Sequence, residues 1–184
     1  MIDRYTRPEM GKLWSDENRF NAWLDVELAV CEAWHSLGVI DAENMAEIRA
    51  KAGFDLARIY EIEERTRHDV IAFLTAVEEK VGPAGRYIHL GCTSSDIVDT
   101  ANGLLLTQAG NLIVTGFERL LAALKKLAHE HKGRLAMGRT HGIHAEPTSF
   151  GLKFAGFYAE FVRHLDRFKA ALEGVRVGKI SGAV

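Results

Sequence analysis

The chain has 184 residues, enough for one or two domains with a sizeable core, and is 47% hydrophobic and 26% charged. With 23 basic and 25 acidic residues its formal charge is −2, which excludes a general attraction for nucleic acid and requires any anion to be held locally. No apolar run approaches the roughly 18 residues of a membrane span. Cys31 and Cys92 lie far apart in no disulfide or metal spacing, and the polar start Asp3-Arg4-Tyr5-Thr6-Arg7 has no secretory character, so free thiols in a reducing cytoplasm are expected.

Three prolines, Pro8, Pro83 and Pro147, all fall outside the long apolar-periodic stretches, which predicts a nearly all-α fold. Ser15 followed by Asp16 and Glu17 marks a helix start with acids at the positive end of the dipole. Phe20, Trp23, Leu24, Leu28, Cys31, Trp34 and Leu37 then form an i, i+3, i+4 stripe that ends at Gly38. Shorter helices are expected over 42–52, 55–65 and 69–81, the last stopped by Gly82-Pro83, making a helical N-terminal domain of residues 1–92.

From Ser94 to about Lys132, Ile97, Ala101, Leu104, Leu112, Leu120, Leu124 and Leu127 recur at helical spacing without a proline. Such a helix would be on the order of 57 Å long, more than a small head needs, and it implies that residues 93–184 are part of a helical bundle. A further helix is expected to start at Pro147 and to run past Phe150, Phe154, Tyr158, Phe161, Leu165, Phe168 and Leu172 to Gly174. The tail from Val175 to Val184 is expected to be extended and without a partner. A lone strand cannot bury two long helices, so the chain is expected either to be cut short or to complete its core with other copies.

Three polar segments precede apolar-periodic stretches, and each carries a histidine. Taken alone, Arg67-His68-Asp69 reads first as a surface ion pair with Asp69 as N-cap, and the competing reading is the binding of a dianion such as phosphate by the Arg fork and His68. In His89-Leu90-Gly91-Cys92-Thr93-Ser94-Ser95-Asp96, Thr93 to Asp96 has the capping-box pattern, while consecutive hydroxyls and free N–H groups at a dipole's positive end also make a cradle for a carboxylate or phosphate. Gly91 would let a ligand approach closely.

The third segment, Gly138-Arg139-Thr140-His141-Gly142-Ile143-His144-Ala145-Glu146-Pro147-Thr148, is expected to be a loop, where a histidine whose ordinary pKa is about 6.5 suits proton transfer near neutrality. Zinc through His141 and His144, or through His89 and Cys92, lacks the further ligands of a closed site. His35, His129, His131 and His164 fall on or near helical stretches and receive structural assignments.

In these segments the sequence resembles the adenylosuccinate lyase family of the fumarase and aspartase superfamily. The resemblance runs from Arg4-Tyr5 through Arg67-His68-Asp69, His89, Thr93-Ser94-Ser95-Asp96 and Gly138-Arg139-Thr140-His141 to Gly178-Lys179-Ile180-Ser181-Gly182-Ala183-Val184. The Arg-His-Asp triplet and the His-Ala-Glu-Pro sequence separate this family from the rest of the superfamily. The resemblance implies β-elimination of fumarate from adenylosuccinate, leaving AMP, and from the succinylated imidazole-carboxamide ribotide of purine synthesis, with no metal or cofactor. It implies His141 as general acid and His68 as its assistant. Arg4, Tyr5, Arg67 and Asp69 would bind the nucleotide, Thr93 and Ser94 the carboxylates, and His89 would lie near the phosphate.

Family members are homotetramers whose sites combine three chains, and the partners expected are copies of the chain and a nucleotide, with neither nucleic acid nor membrane. In the family the base is a serine on a glycine-rich loop beyond the last residue here, so the chain is expected to hold the acid without the base and to turn over little substrate alone. Competing expectations are another lyase of the superfamily, such as argininosuccinate lyase, and a non-catalytic helical assembly module.

Overall fold

The structure is a computed structural model that describes residues 2–182. The described residues form seven α-helices and one two-stranded sheet, and they divide into two compact units: the chain up to Gln108 together with the segment from Arg176, and Ala109–Val175.

In the first unit, α1 (Pro8–Leu13) begins at a proline, whose missing N–H costs nothing at a helix start. Helix α2 (Asp16–Ser36) starts where Ser15 accepts the Asn18 N–H at 3.2 Å. Asp41 and Asp55 cap α3 (Ala42–Lys51) and α4 (Leu56–Thr66) in the same way, and α5 (Asp69–Val81) ends at Gly82 with φ +79°. A 3₁₀ turn, Pro83–Tyr87, follows.

The core is aromatic at its centre. The Phe20 and Phe73 rings stack at 5.7 Å, and Trp23 meets both edge-on at 5.0 and 5.6 Å. Of the α2 stripe, Phe20, Trp23, Leu24 and Cys31 are buried, but Leu37, at the helix end, is exposed. Burial pushes the Cys31 thiol up to about 12, with the nearby Glu27, Cys92 and Glu32 adding to the effect. Iodoacetamide at neutral pH is therefore expected to spare Cys31 in the folded protein and to modify it in denaturant, read by mass spectrometry of the tryptic peptide. Fast native labelling of Cys31 would contradict its burial.

Helix α6 (Ser94–Glu130) has residues in both units. In the second unit its C-terminal part lies antiparallel to α7 (Phe150–Val175), with Phe117 against Phe161 and Phe168 at 6.0 and 5.8 Å. At the far end, a Cβ built on Gly151 would lie 2.5 Å from the Ala128 carbonyl oxygen and 2.6 Å from the Lys132 nitrogen. Because both are backbone atoms that cannot rotate aside, Gly151→Ala is expected to destabilise this unit by about 1–3 kcal/mol. A thermal melt of the variant checks this; an unchanged midpoint would mean that the helices are not so close.

Two corrections concern the second unit. Residues 135–149 are not a loop leading to a helix at Pro147 but an antiparallel hairpin of β1 (Leu135–Thr140) and β2 (Ile143–Ser149), with Pro147 opposite Met137. In a two-stranded sheet both strands are edges, so a residue without an N–H is tolerated there. Helix α7 starts at Phe150, where the Phe150 and Gly151 N–H groups donate to the Arg134 and His131 carbonyls at 2.8 and 3.0 Å.

The tail is also not unpartnered. Lys179 exchanges two hydrogen bonds of 2.9 Å with the Thr100 hydroxyl, and the Ser181 and Gly182 N–H groups donate to Asp96 at 2.9 and 3.0 Å. The expected extension over Ala183 and Val184 lies outside the described residues.

Candidate active site

Helix α4 closes at Arg67, whose φ of +51° turns the chain left-handed, and His68 then caps α5. The N-cap is therefore His68 rather than Asp69: its Nδ1 accepts the Ile71 N–H at 3.4 Å, whereas Asp69 Oδ1 takes the adjacent Val70 N–H at 2.8 Å. An Nδ1 that accepts leaves the proton on Nε2, so His68 offers an N–H to a ligand. Asp69 Oδ1, 3.5 Å from the same Nδ1, competes for it. Among the described residues the Arg67 guanidinium pairs with no carboxylate.

His89 also has a positive φ, +67°, and is held by a residue that sequence reasoning missed. Glu27, 1% exposed on α2, accepts the His89 backbone N–H at 3.0 Å and faces the His89 Nδ1 at 2.6 Å. Its position, one helical turn from both Trp23 and Cys31, put a carboxylate on the buried stripe, and that was the available signal.

Gly91 owes its identity to the backbone, with φ +77° and the Trp34 ring 3.3 Å from where a Cβ would be. Beyond it, half of the capping box forms, in which the Thr93 N–H donates to Asp96 Oδ2 at 2.9 Å. Asp96 is fully buried, and besides the tail N–H groups its Oδ1 receives the Lys179 ammonium at 2.8 Å. That ammonium, with the Thr93 and Ser181 N–H groups, holds the Asp96 carboxyl well below the usual carboxylate range. Lys179 also donates to Ser95 Oγ at 2.8 Å, whereas the Thr93 and Ser94 hydroxyls make no side-chain hydrogen bond among the described residues. The loop is thus fixed from behind by Asp96.

His141 and Gly142 are the two-residue turn of the hairpin, with φ of +49° and +74°. Two consecutive positive φ values match the right-handed twist of the flanking strands, and glycine satisfies one of them without strain. The sequence signal was the His-Gly pair between two short runs. His141 is exposed and makes no side-chain hydrogen bond among the described residues. Arg4 and Tyr5 lie on a 3₁₀ turn, Asp3–Tyr5, with the guanidinium 4.8 Å from the Tyr5 ring centroid.

Within the first unit the residues do not converge on one point. His68 caps the N-terminal end of α5, whereas His89 lies beyond the 3₁₀ turn that follows the other end of that helix. A cleft of about 590 Å³ lined by Trp34, Leu37, Leu90, Cys92, Leu104 and Ile180 is apolar and includes none of the candidate histidines. Among the described residues the non-glycine positions with positive φ are Arg67, His89 and His141, one in each polar segment. Such backbone costs of order 1–3 kcal/mol each and concentrates at functional sites.

A family model described as lyase matches residues 3–184. The chain belongs to that lyase family. Among its relatives, the adenylosuccinate lyases of Bacillus subtilis (strain 168) and Streptococcus mutans are 54% and 53% identical over 184 residues, all of this chain and 43% of each of theirs. The fold is shared with a fumarate lyase from Mesorhizobium sp. BNC1, at TM-score 0.88 and 31% identity over 95% of this chain and 42% of that one. It is shared also with a 3-carboxy-cis,cis-muconate lactonizing enzyme from Pseudomonas putida, at TM-score 0.89 and 31% identity over 100% of this lyase-family chain and 44% of the other. The chain therefore spans less than half the length of these relatives.

Proposed function

We propose that the protein carrying this sequence is an adenylosuccinate lyase, which eliminates fumarate from adenylosuccinate to give AMP and from the succinylated imidazole-carboxamide ribotide. The observation that carries this reading is the coincidence of left-handed backbone with the three polar segments, at Arg67, His89 and His141. The substrate is suggested by relatives of 53–54% identity that bear that enzyme's name.

In this reading His141 protonates the departing nitrogen, with His68 assisting. The Thr93 and Ser94 hydroxyls bind the succinyl carboxylates, and donors at a helix start suit the negative charge that accumulates there during proton removal. His89 takes the phosphate, and Arg4, Tyr5, Arg67 and Asp69 complete the nucleotide's surroundings. None of these roles calls for a metal or cofactor.

His141 sits on an exposed two-residue turn with no side-chain hydrogen bond among the described residues, and a general acid works only in a water-poor, oriented setting. A homo-oligomer in which the turn of one copy enters the site of another supplies that setting, and the division between binding head and bundle would fall near residues 92–93. The whole protein that carries this sequence, purified and incubated with adenylosuccinate, should release fumarate and AMP in equal amounts. Release of fumarate from a non-nucleotide succinyl compound, with none from adenylosuccinate, would transfer the assignment to another lyase of the superfamily.

A further inference from the structure

We infer that Glu27 is a positioning residue for His89: it fixes the ring as the Nδ1–H tautomer and turns Nε2 toward the anionic end of the ligand. This inference rests on the proposed nucleotide reading for the ligand's identity, but not for the tautomer.

Glu27 is 1% exposed and lies on the buried stripe of α2, where an unpaired carboxylate would be costly. The described residues assign both of its oxygens to one neighbour. Oε2 accepts the His89 backbone N–H at 3.0 Å, and Oε1 stands 2.6 Å from Nδ1. A carboxylate only accepts, so the proton between them belongs to Nδ1. The same two bonds hold the φ of +67° that a histidine would otherwise abandon, and so they fix where the ring points as well as which nitrogen carries hydrogen.

Nε2 has no partner among the described residues and is not one of their buried unsatisfied atoms, so it is open to solvent. An acidic group behind one ring nitrogen with the other left open is the arrangement that orients histidines toward metals and substrates elsewhere. For a phosphate oxygen to accept from Nε2 the ring must carry both protons, and the Glu27 carboxylate at Nδ1 supplies the opposing charge.

Nitrogen-15 NMR of the histidine rings in this chain, without ligand, should find the His89 proton on Nδ1. An Nε2–H tautomer would overturn the inference without any variant being made. Glu27→Gln keeps the shape but can accept only through one atom, so the tautomer of the free ring should become mixed. Because the amide carries no charge to support a doubly protonated ring, affinity for AMP should fall on the order of 10-fold, while affinity for adenosine, which has no phosphate, should not change. In a His89→Gln background Glu27→Gln should have no further effect on AMP, whereas a purely structural role would cost the same in both backgrounds. Equal loss for AMP and adenosine would therefore sink the positioning role. Wild-type protein that binds AMP no better than adenosine, with the Nδ1–H tautomer intact, would remove the phosphate reading and leave the tautomer assignment standing.

Discussion

Replacing His141 with glutamine is expected to lower kcat for fumarate release by roughly 10²- to 10⁴-fold, the range that a positioned general acid contributes. Glutamine can donate a hydrogen bond but cannot transfer a proton, so KM should change far less than kcat. The side chain is exposed on a turn, and its removal costs the fold no buried contact. The hairpin residue also has φ of +49°, so His141→Asn, which tolerates that conformation, is the control for backbone effects. Both variants should melt like the parent and show a similar loss of kcat. Mixed oligomers with a second inactive protein, altered at His68, should regain part of the activity if the two histidines act from different copies. Full activity in His141→Gln would remove the proton-transfer role.

Replacing Asp96 with asparagine is expected to lower the melting temperature by on the order of 10 °C, because a buried acceptor of four donors would become an amide that clashes with some of them. The neighbouring exposed Asp99→Asn should have little effect. The pH dependence has a definite sign. The folded carboxyl lies below its ordinary value, so its contribution is complete above the ordinary carboxylate value of about 3.9 and is lost only as pH falls through the depressed one. Melting curves of the parent and the variant should therefore be far apart at neutral pH and converge only in strong acid. A gap that closes already between pH 7 and 5 would show that another group controls it. The loss should not be confined to stability, since the Asp96 side chain joins the Thr93 amide to the tail. Ligand binding through Thr93 and Ser94 should weaken in Asp96→Asn even at temperatures where it is folded.

Much of the helical architecture was legible because helix limits are set by neighbours in the chain. Ser15 and Asp41 cap the helices they precede, and Gly82 stops α5. The hairpin was not legible, because its strands are short, exposed and interrupted by a bulge opposite Gly138, so that no clean alternation marks them. Pro147 added to the error, since a proline suits a helix's first turn and an edge strand equally.

The candidate site divides along the same line. His68, His89, Thr93, Ser94 and His141 could be picked from the sequence because hydroxyls, imidazoles and glycines cluster there in short segments. Residue type and near spacing, then, determined by themselves the mainly helical class and where the candidate imidazoles and hydroxyls cluster. Only the tertiary structure decided that Glu27 grips His89 across 62 positions and that Lys179 reaches back 83 positions to Asp96. It alone decided, too, that His141 stands on a two-residue turn. Local preferences act over a few residues, whereas the partner of a buried charge is chosen by the cost of leaving it unpaired, and that cost exists only once the chain has folded around it.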